Sequence, residues 1–181
     1  MRVERKEFIV KGLHYCIRPA DEKDAKSLSE LRLKIDGETE NLDREPGEAY
    51  IDETGFRKLI NNDEERPTNL FLVAEADGRI AGFSRCEGNS LKRSAHKVEF
   101  GVCVLKEFWG FGIGKNLLNE SICWADANGI KKMALNVLET NENAIKLYKA
   151  AGFEEEGVLR KDKLLSDGNY YHTIIMGRLG G

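Results

Sequence analysis

Residues 102–118 read VCVLKEFWGFGIGKNLL. The front of this stretch belongs to an alternating run in which Val98, Phe100, Val102 and Val104 share one side, the period of a strand spanning Ala95–Leu105. The back reads as a helix carrying Ile113, Leu117, Leu118, Ile122 and Ala125 on one face and ending at Gly129. Between them lie Gly110, Gly112 and Gly114. A strand feeding a glycine-spaced turn into a helix leaves unpaired N–H groups at the helix start. With the helix dipole these favour a bound phosphate. The Walker pattern GxxxxGK[ST] is not met: Trp109 stands at its first glycine and Asn116 follows Lys115. The dinucleotide pattern GxGxxG is not met either, because Lys115 stands at its third glycine. The loop is therefore a pyrophosphate-site candidate of another kind, or a turn without a ligand.

Working outward, Lys132–Leu138 reads as a strand, and Thr140 or Asn141 caps a helix bearing Ala144, Ile145, Leu147, Tyr148 and Ala151, closed by Gly152. Phe153–Arg160 and Tyr170–Leu179 read as strands around a Ser166-Asp167-Gly168 turn. Upstream, Leu70–Ala76 and Arg79–Cys86 flank Asp77-Gly78, a hairpin signal. Near the start, Tyr15–Arg18 is a strand ended by Pro19, and Asp21 and Asp24 can cap a helix with a stripe of Ala25, Leu28, Leu31, Leu33 and Ile35. A further helix is expected over Ala49–Asn62, stopped by Pro67. The expected order is β-α-α-β-β-β-α-β-α-β-β, an α/β fold with a mixed central sheet flanked by helices.

A chain of 181 residues suits one ordinary domain, expected here as 1–181. With 41% hydrophobic and 33% charged residues and a net charge of −3, the composition is that of a folded protein without the basic footprint of a nucleic-acid binder. No stretch approaches the roughly 20 apolar residues of a membrane helix. The charged opening MRVERKEF lacks a signal-peptide core, so a cytoplasmic location is expected and neither nucleic acid nor membrane is expected as a partner. Cys16, Cys86, Cys103 and Cys123 form no CxxC pair and the three histidines are scattered, so no metal site is expected.

Residues 136–153, NVLETNENAIKLYKAAGF, complete a second pattern. Together the two stretches resemble the GNAT superfamily of acetyl-CoA-dependent N-acetyltransferases. The family's loop pattern Q/R-x-x-G-x-G/A corresponds to Trp109-Gly110-Phe111-Gly112-Ile113-Gly114, with Trp109 departing at the first position. Its second pattern, N-x-x-A-x-x-x-Y-x-x-x-G-F, is met by Asn141, Ala144, Tyr148, Gly152 and Phe153. The run Glu156–Arg160 and Asp167–Tyr170 is similar to the small-amine, antibiotic and ribosomal-protein acetyltransferase branches, except that His172 stands where those carry an aspartate.

The resemblance implies acetyl-CoA as co-substrate, held over about residues 95–153, with an acceptor-side region at about 20–68. Main-chain groups of Val102, Cys103 and Val104 would pair with the pantetheine arm and polarise the thioester carbonyl, where negative charge develops in the transition state. Trp109, Gly110, Phe111, Gly112, Ile113 and Gly114 would hold the pyrophosphate. Lys115 either adds charge there or is a solvated first-turn lysine. Asn141 is a helix cap or a coenzyme contact, with Asn143 and Ala144 beside it. Tyr148 would protonate the leaving thiolate; on an apolar helix face it could equally be core. The acceptor amine must lose a proton, and Glu99 is the candidate base, or else an ordinary exposed strand residue; His96 and His172 are rivals. Residues 36–65 carry −8 against +5 for the rest, which suits either a cationic acceptor or a solvated acidic face. Dimers are common among similar proteins, so a homodimer is allowed. A non-catalytic acyl-CoA-binding module on the same fold is the competing expectation.

Overall fold

The computed structural model describes residues 3–181. Their strands join one eight-stranded sheet, built from β1 (Lys6–Val10), β2 (Leu13–Pro19), β3 (Leu70–Ala76), β4 (Arg79–Gly88), β5 (Lys97–Val104), β6 (Lys132–Leu138), β7 (Glu154–Leu164) and β8 (Tyr170–Leu179). The spatial order is β1-β2-β3-β4-β5-β6-β8-β7, and every neighbouring pair is antiparallel except β5 with β6. The helices are α1 (Ala25–Glu38), α2 (Glu53–Glu65), α3 (Ile113–Ala127) and α4 (Glu142–Ala150).

β1 is a strand beyond the expected order. It pairs with β2 through a two-residue turn in which Lys11 (φ 50°) and Gly12 (φ 83°) are both left-handed. That turn suits a hairpin's twist, but lysine is not a residue that announces it. The second helix is displaced from the expected 49–62: Asp52, whose carboxylate accepts the Gly55 amide at 2.7 Å, starts it. It ends at Glu65 because Pro67 forces Arg66 into an extended conformation (φ −100°, ψ 118°).

The helices divide between the two sheet faces. On one, Phe56 of α2 meets the Phe83 ring of β4 edge-on, and Asp63 of α2 takes both Arg85 Nε (2.7 Å) and Nη2 (3.0 Å). On the other, Ser84 of β4 shares a hydrogen bond with Ser121 of α3 at 3.2 Å, and Phe100 of β5 meets the Tyr148 ring of α4. One continuous core runs from Tyr15 to Met176, through both faces of β3, β4 and β5. Burying these side chains is the main force holding the layers together.

The feature that positions the site is a divergence. The parallel ladder between β5 and β6 holds only from Lys97↔Lys132 to Glu99↔Ala134. Beyond it β5 stays with β4 as far as Val104↔Gly82, and β6 stays with β8 as far as Leu138↔Thr173. The central strands therefore part, leaving main-chain groups of β5 with no strand to pair with on that side.

Candidate active site

The cleft opened by that divergence leads into a cavity of about 470 Å³. Its lining brings together Val102, Cys103 and Val104 of β5, the loop residues Trp109, Gly110, Gly112, Ile113, Gly114 and Lys115, and Asn141, Asn143, Ala144 and Tyr148 around the start and inner face of α4. These stretches lie up to 46 positions apart in the chain, from Val102 to Tyr148.

The loop is built to present donors. Gly112, left-handed at φ 74°, is the N-cap of α3, and its carbonyl accepts the Asn116 amide at 2.9 Å. Among the described residues, no amide from Gly110 to Lys115 donates to a protein acceptor. Clustered free amides at a helix start make an anion site. Phe111 does not line the cavity; its carbonyl accepts the Tyr15 hydroxyl at 3.2 Å. That hydroxyl accepts in turn from Asn116 Nδ2 at 2.6 Å. Tyr15, on β2, thus holds the loop from across the sheet. No local signal near residue 15 announces this task.

Trp109 stands where the family pattern has an amide or guanidinium, and it acts on the protein itself. Its indole N–H donates to the Val104 carbonyl at 2.8 Å, and Lys106 Nζ lies 6.0 Å from its ring centroid. One of the main-chain acceptors expected to serve the pantetheine arm is thus already engaged.

Asn141 is the helix cap. Its Oδ1 accepts the Ala144 amide at 3.4 Å, capping α4, while the residue also lines the cavity. The end of α4 explains the Tyr-x-x-x-Gly-Phe spacing. Gly152 is left-handed (φ 89°), its amide donates to the Lys149 carbonyl at 3.1 Å, and the Phe153 amide donates to the Tyr148 carbonyl at 3.0 Å. This is a Schellman closure, in which the residues bonded end to end usually touch. The Tyr148 and Phe153 rings lie 5.8 Å apart.

The Tyr148 ring is therefore core, and the residue is 8% exposed. Its hydroxyl is different: it has no hydrogen bond within the described residues, and the side chain lines the cavity. Burial alone pushes the phenol up to about 12, so it stays protonated at neutral pH. Burial likewise pushes the Cys103 thiol up to about 12, which suits an inert wall residue and not a nucleophile.

Glu99 is not in this cavity. It is exposed instead of partly desolvated, and it sits opposite Glu87 on the sheet face that carries α1 and α2. His96 is also exposed, and its carbonyl accepts the Lys131 and Lys132 amides where β5 begins. His172 Nδ1 accepts the Lys161 amide at 3.0 Å.

Residues not expected from the sequence complete the wall: Ile35 at the end of α1, then Thr39, Asn41 and Leu42 in the segment that follows it, with Phe108 and Leu147. Asn41 and Leu42 also border a second cavity of about 50 Å³, lined further by Asn136, Asp162 and Thr173. The segment is tied to the β7–β8 hairpin: Glu40 accepts the Ser166 amide at 2.9 Å, and Lys163 pairs with Asp43 at 3.2 Å. Part of the acidic charge of residues 36–65 is engaged internally. Asp36 pairs with Arg32, Glu38 accepts the Lys106 amide, Glu53 pairs with Arg57 and Asp63 with Arg85.

Comparison with known proteins agrees with this geometry. Residues 36–153 match the acetyltransferase (GNAT) family. The chain is 33% identical over 117 residues to the L-amino acid N-acetyltransferase AaaT of Escherichia coli, covering 64% of this chain and 71% of that one. A GNAT-family acetyltransferase from Streptococcus pneumoniae superposes with a TM-score of 0.88 at 27% identity, over 92% of this chain and 99% of that one. A phosphinothricin acetyltransferase from Sinorhizobium meliloti, in complex with acetyl-CoA, shares the fold with a TM-score of 0.79 at 23% identity, over 91% and 88%.

Proposed function

Because the chain belongs to the acetyltransferase (GNAT) family, we propose that it moves the acetyl group of acetyl-CoA onto a small primary amine by direct attack. The observation that carries this reading is the joining of unpaired loop amides and a protonated, unpartnered Tyr148 hydroxyl in one cavity. The residues present fit the coenzyme. The Gly110–Lys115 amides meet the charge of a pyrophosphate, and the freed edge of β5 offers main-chain donors and acceptors to the amides of a pantetheine arm. Acetyl-CoA itself supplies an activated thioester.

The chain's own residues then have distinct tasks. A main-chain N–H on the free edge of β5 would donate to the thioester oxygen as charge develops on it. The Tyr148 hydroxyl would donate its proton to the departing sulfur, for which burial keeps it available. Glu99 would accept the ammonium proton through water. Support for this is its place on the sheet face shared with α1 and α2, next to Gly101, where an added Cβ would meet nothing within 4 Å. Because Glu99 is exposed, the step needs a water relay and not direct contact. The E. coli relative is named for L-amino acids, so L-amino acids are the first acceptors to examine.

The test has two stages. Acetyl-CoA at 100 times its Kd should stabilise the fold by about 2.7 kcal/mol, a melting shift of roughly 5–10 °C in a domain of this size, with ATP and NAD as inactive controls. An amine panel with acetyl-CoA should then release free thiol in proportion to acetylated amine. Thermal stabilisation without thiol release from any amine would make the chain an acyl-CoA-binding module. The absence of both would reject the reading.

A further inference from the structure

Arg18, Arg32, Arg85 and Arg178 have side chains withdrawn from water to the same degree, at 19%, 20%, 21% and 20% exposed. Three of them spend terminal guanidinium nitrogens on a carboxylate. Arg18 gives Nη1 and Nη2 to Asp24, Arg85 gives Nη2 to Asp63, and Arg178 gives Nη1 and Nη2 to Asp126. Arg32 of α1 differs. It donates to Asp36 through Nε, at 3.2 Å, and among the described residues its Nη1 and Nη2 donate to no oxygen. Polar groups taken this far from water are normally paired.

The place of Arg32 says what it is free for. It shares one stripe of α1 with Ile35 and Thr39, three and seven positions on, and both of these line the acetyl-transfer cavity. Asp36, one turn from Arg32, is buried. Against them stands Cys103 of β5, which lines the same cavity. Burial sets the level of the Cys103 thiol; the charges that act on it next are Arg32, which lowers it, and Asp36, which raises it. The ion pair is therefore packed beside the Cys103 wall. Two residues back on the same face of β5, an added Cβ at Gly101 would meet nothing within 4 Å, so there is open room next to that wall.

We propose that Arg32 anchors a carboxylate of the acceptor, and hence that the acceptor is an α-amino acid, an amine whose neighbouring carbon bears a free carboxylate. This rests on the acetyl-transfer reading and narrows its acceptor. The main chain of Cys103 lies on the edge offered to the thioester arm, while its side chain lies toward Arg32. Amine and carboxylate are thus separated by the depth of one short side chain, which an α-amino acid spans. A planar carboxylate matches the two terminal nitrogens of a guanidinium bidentately. Asp36 does not compete for them, because it takes Nε and so fixes the plane of the fork.

The experiment gives the full chain, with acetyl-CoA, a series of L-amino acids, the primary amide of each, and the amine that lacks the carboxylate. The wild type should prefer the best amino acid over its amide by about 10²-fold or more in kcat/KM. Arg32→Gln should raise KM for that amino acid by about 10²-fold, more than it lowers kcat, and abolish the preference. Arg32→Lys keeps the charge without the fork and should recover part of it. Because Arg32→Gln strands the buried Asp36, Arg32→Gln/Asp36→Asn, which removes both charges, is measured beside it and should lose the same preference. The melting shift with acetyl-CoA shows that each variant is folded and loads the coenzyme. Calorimetric titration of the amino acid into protein saturated with coenzyme A should give binding heat for the wild type and none for either glutamine variant. A wild type that acetylates amides or carboxylate-free amines as readily, or glutamine variants that keep the wild-type preference, would overturn the role of Arg32 and leave the acetyl-transfer reading standing. No melting shift with acetyl-CoA and no thiol release from any amine would reject that reading, and this inference with it.

Discussion

Replacing Tyr148 by phenylalanine separates the two roles that one side chain combines. The ring packs at 5.8 Å from Phe153 and 6.5 Å from Phe100 and closes the α4 turn, and phenylalanine keeps all of that. Among the described residues the hydroxyl has no hydrogen-bond partner, so none is orphaned by its loss. Removing an unpartnered, largely buried polar group leaves stability unchanged or raises it by up to about 1 kcal/mol. In a domain of this size that is a melting shift of about 0 to +4 °C. Catalysis should respond very differently. If the hydroxyl supplies the leaving-group proton, kcat should fall by about 10²–10⁴, the range a positioned acid contributes. Acetyl-CoA affinity should change little, because the loop amides are untouched. The assay is thiol release with the best amine from the panel, alongside thermal melting and calorimetric titration of acetyl-CoA. Tyr148→Ala is the contrast: it also empties a core position and should cost about 3–5 kcal/mol. A Tyr148→Phe protein that melts normally and keeps wild-type kcat would refute the acid role. One that melts well below the wild type would refute the structural accounting.

Three further outcomes follow from the same geometry. Burial raises Tyr148 from 10 and Cys86 and Cys103 from 9, each up to about 12 in the fold. The folded state then holds these protons more tightly than the unfolded chain, so stability present below pH 9 falls as pH rises from about 9 to 12. Each group contributes about 1.4 kcal/mol per pH unit while it titrates only in the unfolded state, and urea melts across that range should show a shallower fall in Cys86→Ala. Asp63→Ala leaves Arg85 without its buried carboxylate between α2 and β4 and should cost about 3–5 kcal/mol in urea unfolding. Gly82→Ala would set a Cβ 2.6 Å from the Cys103 carbonyl oxygen and 3.0 Å from Val104 Cα. Both are backbone atoms of the cleft wall, so stability should fall by about 1–3 kcal/mol, with acetyl-CoA affinity at least about tenfold weaker by calorimetry.

Wherever local chemistry fixes an element, the sequence made it legible. Asp77-Gly78 sets the β3–β4 hairpin, and the strands over Leu70–Ala76, Lys132–Leu138 and Tyr170–Leu179 have the bounds read from the sequence. The spacing from Asn141 to Phe153 specifies a capped helix with a glycine closure, as observed. The glycine loop likewise announced a helix start with free amides. Weak signals failed in an informative way. The β1–β2 hairpin turns on a left-handed lysine, and α2 begins at Asp52, inside a run so rich in acids that one more capping carboxylate carries no emphasis.

The sequence by itself determined the order of elements from β2 onward, the glycine-spaced start of α3 and the capped, glycine-closed helix that carries Tyr148, because each rests on spacings of a few residues that a helix, strand or turn converts directly into geometry. Only the tertiary structure decided what those elements do together. It parted β5 from β6 after Glu99, brought Tyr15 across the sheet to hold the loop, and turned the Trp109 indole onto Val104. It also tied five of the eleven acids of residues 36–65 into ion pairs and left Glu99 exposed outside the cavity. These outcomes depend on which faces and strand ends meet after packing. Contacts between residues about a hundred positions apart are selected by the whole core and leave no trace in any local pattern.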